Sequence, residues 1–97
     1  MDIKSTLRAL DNDLRREALK ILLTNGDCSV KEVYSNLQKN KPEYRQSVNK
    51  ALDLLNEVGL VDKYYDENKK KIVYSANYQT IKIHLNEMDI QTSPADS

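Results

Sequence analysis

Ninety-seven residues suffice for one domain with a single modest core and leave no room for a second. With 39% hydrophobic and 31% charged residues the chain reads as globular rather than disordered or fibrous, and its core must come from Leu, Ile, Val and Tyr because Phe and Trp are absent. The formal net charge of zero argues at first against a nucleic-acid partner, yet all fifteen Lys and Arg lie in residues 1–83 beside twelve acids, whereas the last fourteen residues carry three acids and no Lys or Arg, so a mildly basic body precedes an acidic tail.

Ile3, Leu7 and Leu10 form an apolar face that predicts a short first helix. From Asp11 to Leu23 the positions Leu14, Ala18, Ile21 and Leu22 recur at helical spacing, with Asp11 or Asn12 as N-cap and Asn25-Gly26 as the stop. Ser29-Val30-Lys31-Glu32 reads as a capping box, and Val30, Val33, Tyr34 and Leu37 then share one face of a helix of about ten residues. That helix is expected to stop in Gln38-Lys39-Asn40-Lys41, and Pro42 suits the first turn of the next. There Val48, Ala51, Leu52, Leu55 and Val58 make a buried stripe that Gly59 closes.

After Gly59 the pattern changes to short β-prone runs. Leu60 to Tyr65 and Lys71 to Ser75, separated by the polar Asp66-Glu67-Asn68-Lys69-Lys70, predict a hairpin with a charged tip. Ile81, Leu85 and Met88, at i, i+4 and i+7, predict a last amphipathic helix from Tyr78. The expectation is therefore a mainly α, α+β chain: a winged helix-turn-helix domain over residues 1–90 with a two-stranded wing and a C-terminal helix, followed by a disordered tail at 91–97.

Three stretches resemble the ArsR-type group of winged-helix repressors, and the similarity covers roughly residues 10 to 90. Leu14-Arg15-Arg16-Glu17-Ala18-Leu19-Lys20-Ile21-Leu22 is similar to that group's opening helix, and Cys28-Ser29-Val30-Lys31-Glu32-Val33 to the start of its second. Leu54-Leu55-Asn56-Glu57-Val58-Gly59-Leu60-Val61 resembles its most recognisable segment, where the recognition helix runs into the first wing strand. The resemblance implies DNA binding, dimerisation through the first and last helices, and repression of transcription.

In a helix-turn-helix the second helix of the motif enters the major groove with its N-terminal exposed residues. Here these are Tyr44, Arg45, Gln46, Ser47, Asn49 and Lys50. Arg45 can pair bidentately with guanine and Gln46 and Asn49 with adenine, while Ser47 and Lys50 suit phosphate or a groove edge. Lys69, Lys70 and Lys71 at the hairpin tip supply a second basic point for a phosphate backbone, with Lys39 and Lys41 as weaker phosphate contacts. Tyr64, Tyr65 and Tyr74 are expected to pack within or flank the hairpin. Ile3, Leu7, Leu10, Ile81, Leu85 and Met88 offer more apolar surface than one small core needs and are the candidate homodimer interface; a two-fold pair would set recognition helices about 34–36 Å apart along double-stranded DNA.

Enzymatic chemistry finds no support, since no Gly-rich phosphate loop or metal-ligand cluster is present and Cys28 and His84 lie far apart in sequence. The cysteine pair of metal-sensing ArsR-like proteins is absent, with Ser29 and Lys31 where thiolates would be wanted; His84 and Glu87 lack upstream companions, so no metal and no cofactor are expected. Cys28 alone cannot form an internal disulfide. No run approaches the roughly 18 apolar residues of a membrane span, and MDIKSTLRAL lacks the order of a signal peptide, which together predict a cytoplasmic protein. The competing reading is a winged helix that binds protein in a larger assembly, which an exposed apolar patch on the third helix or wing would favour.

Overall fold

The Asp2 carboxylate accepts from the Ser5 backbone N–H at 3.0 Å and starts the first helix, α1 (Ile3–Leu10). The computed structural model describes residues 2–37, 44–84 and 87–95. Expectations for Gln38, Lys39, Lys41, Pro42 and Leu85 lie outside the described residues. Of the two candidate caps, Asn12 opens α2 (Asp13–Asn25), accepting from Arg15 N at 2.9 Å. The same Arg15 turns its guanidinium back to α1, donating from Nε to the Ala9 carbonyl at 2.6 Å and from Nη2 to that of Arg8 at 3.1 Å, while Arg16 donates to Leu10. The last carbonyls of a helix lack intrahelical donors, and the basic pair supplies them here.

Gly26 ends α2 at φ 85°, a left-handed backbone that a side chain would strain. The reciprocal capping box forms at α3 (Val30–Asn36): Glu32 N donates to Ser29 Oγ at 3.2 Å and Ser29 N to Glu32 Oε1 at 3.0 Å. Val33 and Leu37 are buried as expected, but Tyr34 is 41% exposed. In α4 (Arg45–Glu57) Val48, Ala51, Leu52 and Leu55 form the buried stripe. Its end is a Schellman motif: Leu60 N donates to Leu55 O at 2.9 Å and Gly59 N to Asn56 O at 3.1 Å, with Gly59 at φ 87°. Leu55 and Leu60 are both buried, so the motif carries its usual apolar contact into the core.

Strands β1 (Val61–Asp66) and β2 (Lys71–Ala76) pair antiparallel from Val61↔Ala76 to Asp66↔Lys71. A further pairing was not legible in the sequence: Cys28 bridges Tyr74 through two backbone hydrogen bonds, Cys28 N to Tyr74 O at 3.1 Å and Tyr74 N to Cys28 O at 2.7 Å. The α2–α3 connection thus lies along the free edge of β2. The core gathers Ala18, Leu22, Val33, Val48, Leu52, Leu55, Leu60, Val61 and Tyr74 between α2, α3, α4 and this hairpin. Full burial of an aliphatic side chain such as Leu52 contributes about 1.5–3 kcal/mol.

The expected C-terminal helix is corrected by the structure. Tyr78–His84 is a strand, β3, paired with β4 (Asp89–Pro94) in a second antiparallel hairpin, and the turn places Met88 at φ 51°. Residues 91–94 of the expected tail lie in β4. The reason is a competing period: Ile83 lies opposite Ile90 and Ile81 opposite Thr92, so alternation sets Ile81, Ile83 and Ile90 on one face, with Lys82, Asp89 and Gln91 on the other. Ile81 packs against the core from that face, and Tyr78, three residues earlier, joins it because the register shifts between Tyr78 and Thr80. The described residues therefore form an α+β fold of four helices and two antiparallel two-stranded sheets. No helix among them is long and apolar enough to cross a membrane.

Candidate nucleic-acid interface

The buried stripe of α4 forces its remaining residues outward. Tyr44, which precedes the helix and makes no side-chain cap, is 78% exposed; Arg45, Gln46, Asn49 and Lys50 are exposed and Ser47 is half-buried. These residues share the N-terminal half of one helix, where sequence reading assigned them.

The β1–β2 hairpin is fixed beside this helix. The Tyr74 hydroxyl donates to Asp53 Oδ1 at 2.6 Å and lies 3.4 Å from Asn49 Oδ1, while Lys63 Nζ reaches the same Asp53 oxygen at 3.2 Å and sits 5.6 Å from the Tyr74 ring centroid. The Tyr74 hydroxyl hydrogen bond, with help from Lys63, holds the Asp53 carboxyl below its ordinary range. Burial first, and Asp53 second, pushes the Tyr74 phenol up. Asn49 and Asp53 consequently face the hairpin, and Gln46 and Lys50 are exposed. Sequence reading assigned Asn49 to a base edge; in this geometry its amide oxygen already neighbours Tyr74.

The hairpin tip is built by Asp66, whose Oδ1 accepts from Asn68 N at 2.9 Å and Lys69 N at 3.1 Å, and Lys70 takes a left-handed backbone at φ 56°. The three lysines expected to act together are divided. Lys71 pairs with Glu32 Oε1 at 3.1 Å and Lys69 with Glu32 Oε2 at 3.6 Å, and Lys69 also donates to the Asp27 carbonyl at 2.9 Å. Lys70 makes no ion pair among the described residues. Donation from Ser29 N, assisted by Lys71, holds Glu32 down to about 2. Tyr64 hydrogen-bonds Asp27 from the adjoining strand, which pushes its phenol up to about 12. Cys28, buried beneath, has its thiol pushed up by desolvation and by Glu32.

The candidate dimer residues are not brought onto two helices. Ile3 is half-buried and Leu7 is 48% exposed on α1, but Leu10 and Ile81 lie at the margin of the core, and Met88 is 62% exposed in the β3–β4 turn. A strand where a helix was expected separates Ile81 from Met88. Tyr74 is buried as anticipated, whereas Tyr65 and Ile72, opposite one another in register, are 58% and 50% exposed.

Sequence reasoning missed Lys31, Lys63, Asp53 and Asn77. Strand alternation from the buried Val61 would have placed Lys63 on the α4 side, but nothing local marks Asp53 as its partner. Among the described residues no group of three His, Cys, Asp or Glu could hold a metal ion. No protein-family model matches the chain, and no curated protein matches it in sequence.

Proposed function

We propose that this chain is a winged helix-turn-helix protein that binds double-stranded DNA, with α3 and α4 as the helix-turn-helix, β1–β2 as the wing, and action as a cytoplasmic homodimeric repressor. The observation that carries the reading is the outward face of α4, where Arg45, Gln46 and Lys50 are exposed opposite a fully apolar stripe and beside a hairpin fixed by Tyr74 and Lys63. Such side chains at the start of a helix of that motif suit base edges and phosphates. For the dimer, support comes from the exposed Leu7 on α1 and from Ile83, 37% exposed on the apolar face of the second hairpin.

A second reading, a protein-binding winged helix, has one observation in its favour: Tyr65 and Ile72 form an exposed apolar pair on the first hairpin.

Fluorescence anisotropy with labelled random duplex DNA at several salt concentrations tests the choice, using wild type and the double variant Arg45→Ala, Lys50→Ala. Salt-sensitive binding that the double variant loses is the expected result. Absence of binding by wild type even at low salt would overturn the DNA reading in favour of the protein-binding one.

A further inference from the structure

We infer that the cleft between α3, the start of α4 and the β1–β2 hairpin seats one phosphodiester group of the bound duplex. This rests on the DNA-binding reading and deepens it, because it adds a sequence-independent anchor built on Lys31 and Lys63, which that reading did not use as DNA contacts.

The cleft, about 380 Å3, is lined by Lys31 of α3, Arg45 and Asn49 of α4, Lys63 of β1, and Lys71 and Ile72 of β2. Four cations converge on it and no acid lines it. Glu32 and Asp53 do not line it but pair with Lys71 at 3.1 Å and Lys63 at 3.2 Å. Lys31 and Arg45 have no ion pair among the described residues. Two paired and two unpaired cations around one cavity attract an anion, and the unpaired two, Lys31 and Arg45, keep their full charge for it. The volume far exceeds the roughly 30 Å3 share of one water, so a tetrahedral oxyanion fits with part of its hydration. The exposed Ile72 at the rim offers an apolar wall to the sugar that flanks a phosphodiester.

A phosphate anchor here fixes register rather than sequence. Arg45 lies on both the cleft and the α4 face, so a phosphate held at this point would set how Gln46 and Lys50 approach the groove.

Lys31 is the residue to test, because it is exposed, off the core and outside the first reading's contacts. Binding of labelled random duplexes would be followed from 50 to 200 mM salt for wild type, Lys31→Gln and Lys31→Arg, with inorganic phosphate titrated separately and followed by backbone amide NMR. We expect the Lys31→Gln slope of log affinity against log salt to be shallower by about 0.9, which makes its affinity loss over that range about 3.5-fold smaller, with similar weakening on every duplex and recovery in Lys31→Arg. DNA binding with an unchanged slope in Lys31→Gln would overturn the anchor and leave the DNA reading standing. Wild type that binds no DNA would overturn both. Saturable inorganic-phosphate shifts around Lys31 and Lys71, without DNA binding, would reassign the cleft to a free phosphate.

Discussion

Tyr74 of β2 and Asp53 of α4 are joined by a 2.6 Å hydrogen bond that couples the hairpin to the outward edge of the helix it flanks. Lys63 closes the same group, so one carboxylate orders a phenol and an ammonium from neighbouring strands. Tyr74→Phe keeps the buried ring and removes only the hydroxyl. The expected cost is about 1 kcal/mol, since Asp53 is half exposed, or roughly 4–8 °C in thermal midpoint. Unfolding followed by circular dichroism measures it, and an unchanged midpoint would show that this bond does not stabilise the hairpin.

Acid stability follows from Glu32. Its folded value of about 2 lies below the ordinary 4.5, so its contribution is fully present above the unfolded value and is lost as pH falls from about 4.5 towards 2. Glu32→Gln keeps an acceptor for Ser29 N but gives up the attraction to Lys69 and Lys71. Urea midpoints measured across that window should fall more steeply with acid in wild type than in Glu32→Gln.

Asn77, the single residue between β2 and β3, donates from Nδ2 to the Gly59 carbonyl at 3.0 Å and from its backbone to Leu60 O at 3.0 Å, and accepts from Ala95 N at 3.1 Å. It ties both hairpins to the end of α4. Asn77→Ala removes only the side-chain bonds to the Gly59 carbonyl and Asp62, so it should cost about 1 kcal/mol and raise amide exchange around Gly59–Asp62 more than in β3 and β4. Uniform acceleration throughout the chain would show instead that the two hairpins open as one unit.

Arg15 donates to two carbonyls at the end of α1, and an acceptor left without a donor there favours fraying. Arg15→Met retains much of the aliphatic stem and removes the donors. Loss of exchange protection confined to Ile3–Leu10, with a global cost of about 1 kcal/mol, is the expected outcome. Protection unchanged in α1 would assign its docking to Thr6 and Ala9, which are buried, rather than to the guanidinium.

The sequence by itself determined whatever local rules decide: a cap at Asp11 or Asn12, the Ser29–Glu32 box, the left-handed Gly26 and Gly59, the apolar stripe of α4 and the first hairpin. Each depends on residues within a turn or two of one another, so spacing suffices to read it. Tertiary structure decided the rest. The sequence carries both a helical spacing through Ile81 and Met88 and an alternation through Ile81 and Ile83, and pairing of Tyr78–His84 with Asp89–Pro94 selected the second, setting Ile83 opposite Ile90 and turning Ile81 onto the core. The same holds at the candidate interface. Position alone exposed Arg45, Gln46 and Lys50, but only the folded chain brought Lys31, Lys63 and Lys71 to Arg45 and tied Lys69 and Lys71 to Glu32, because attraction between groups some forty residues apart in sequence is settled by packing rather than by spacing.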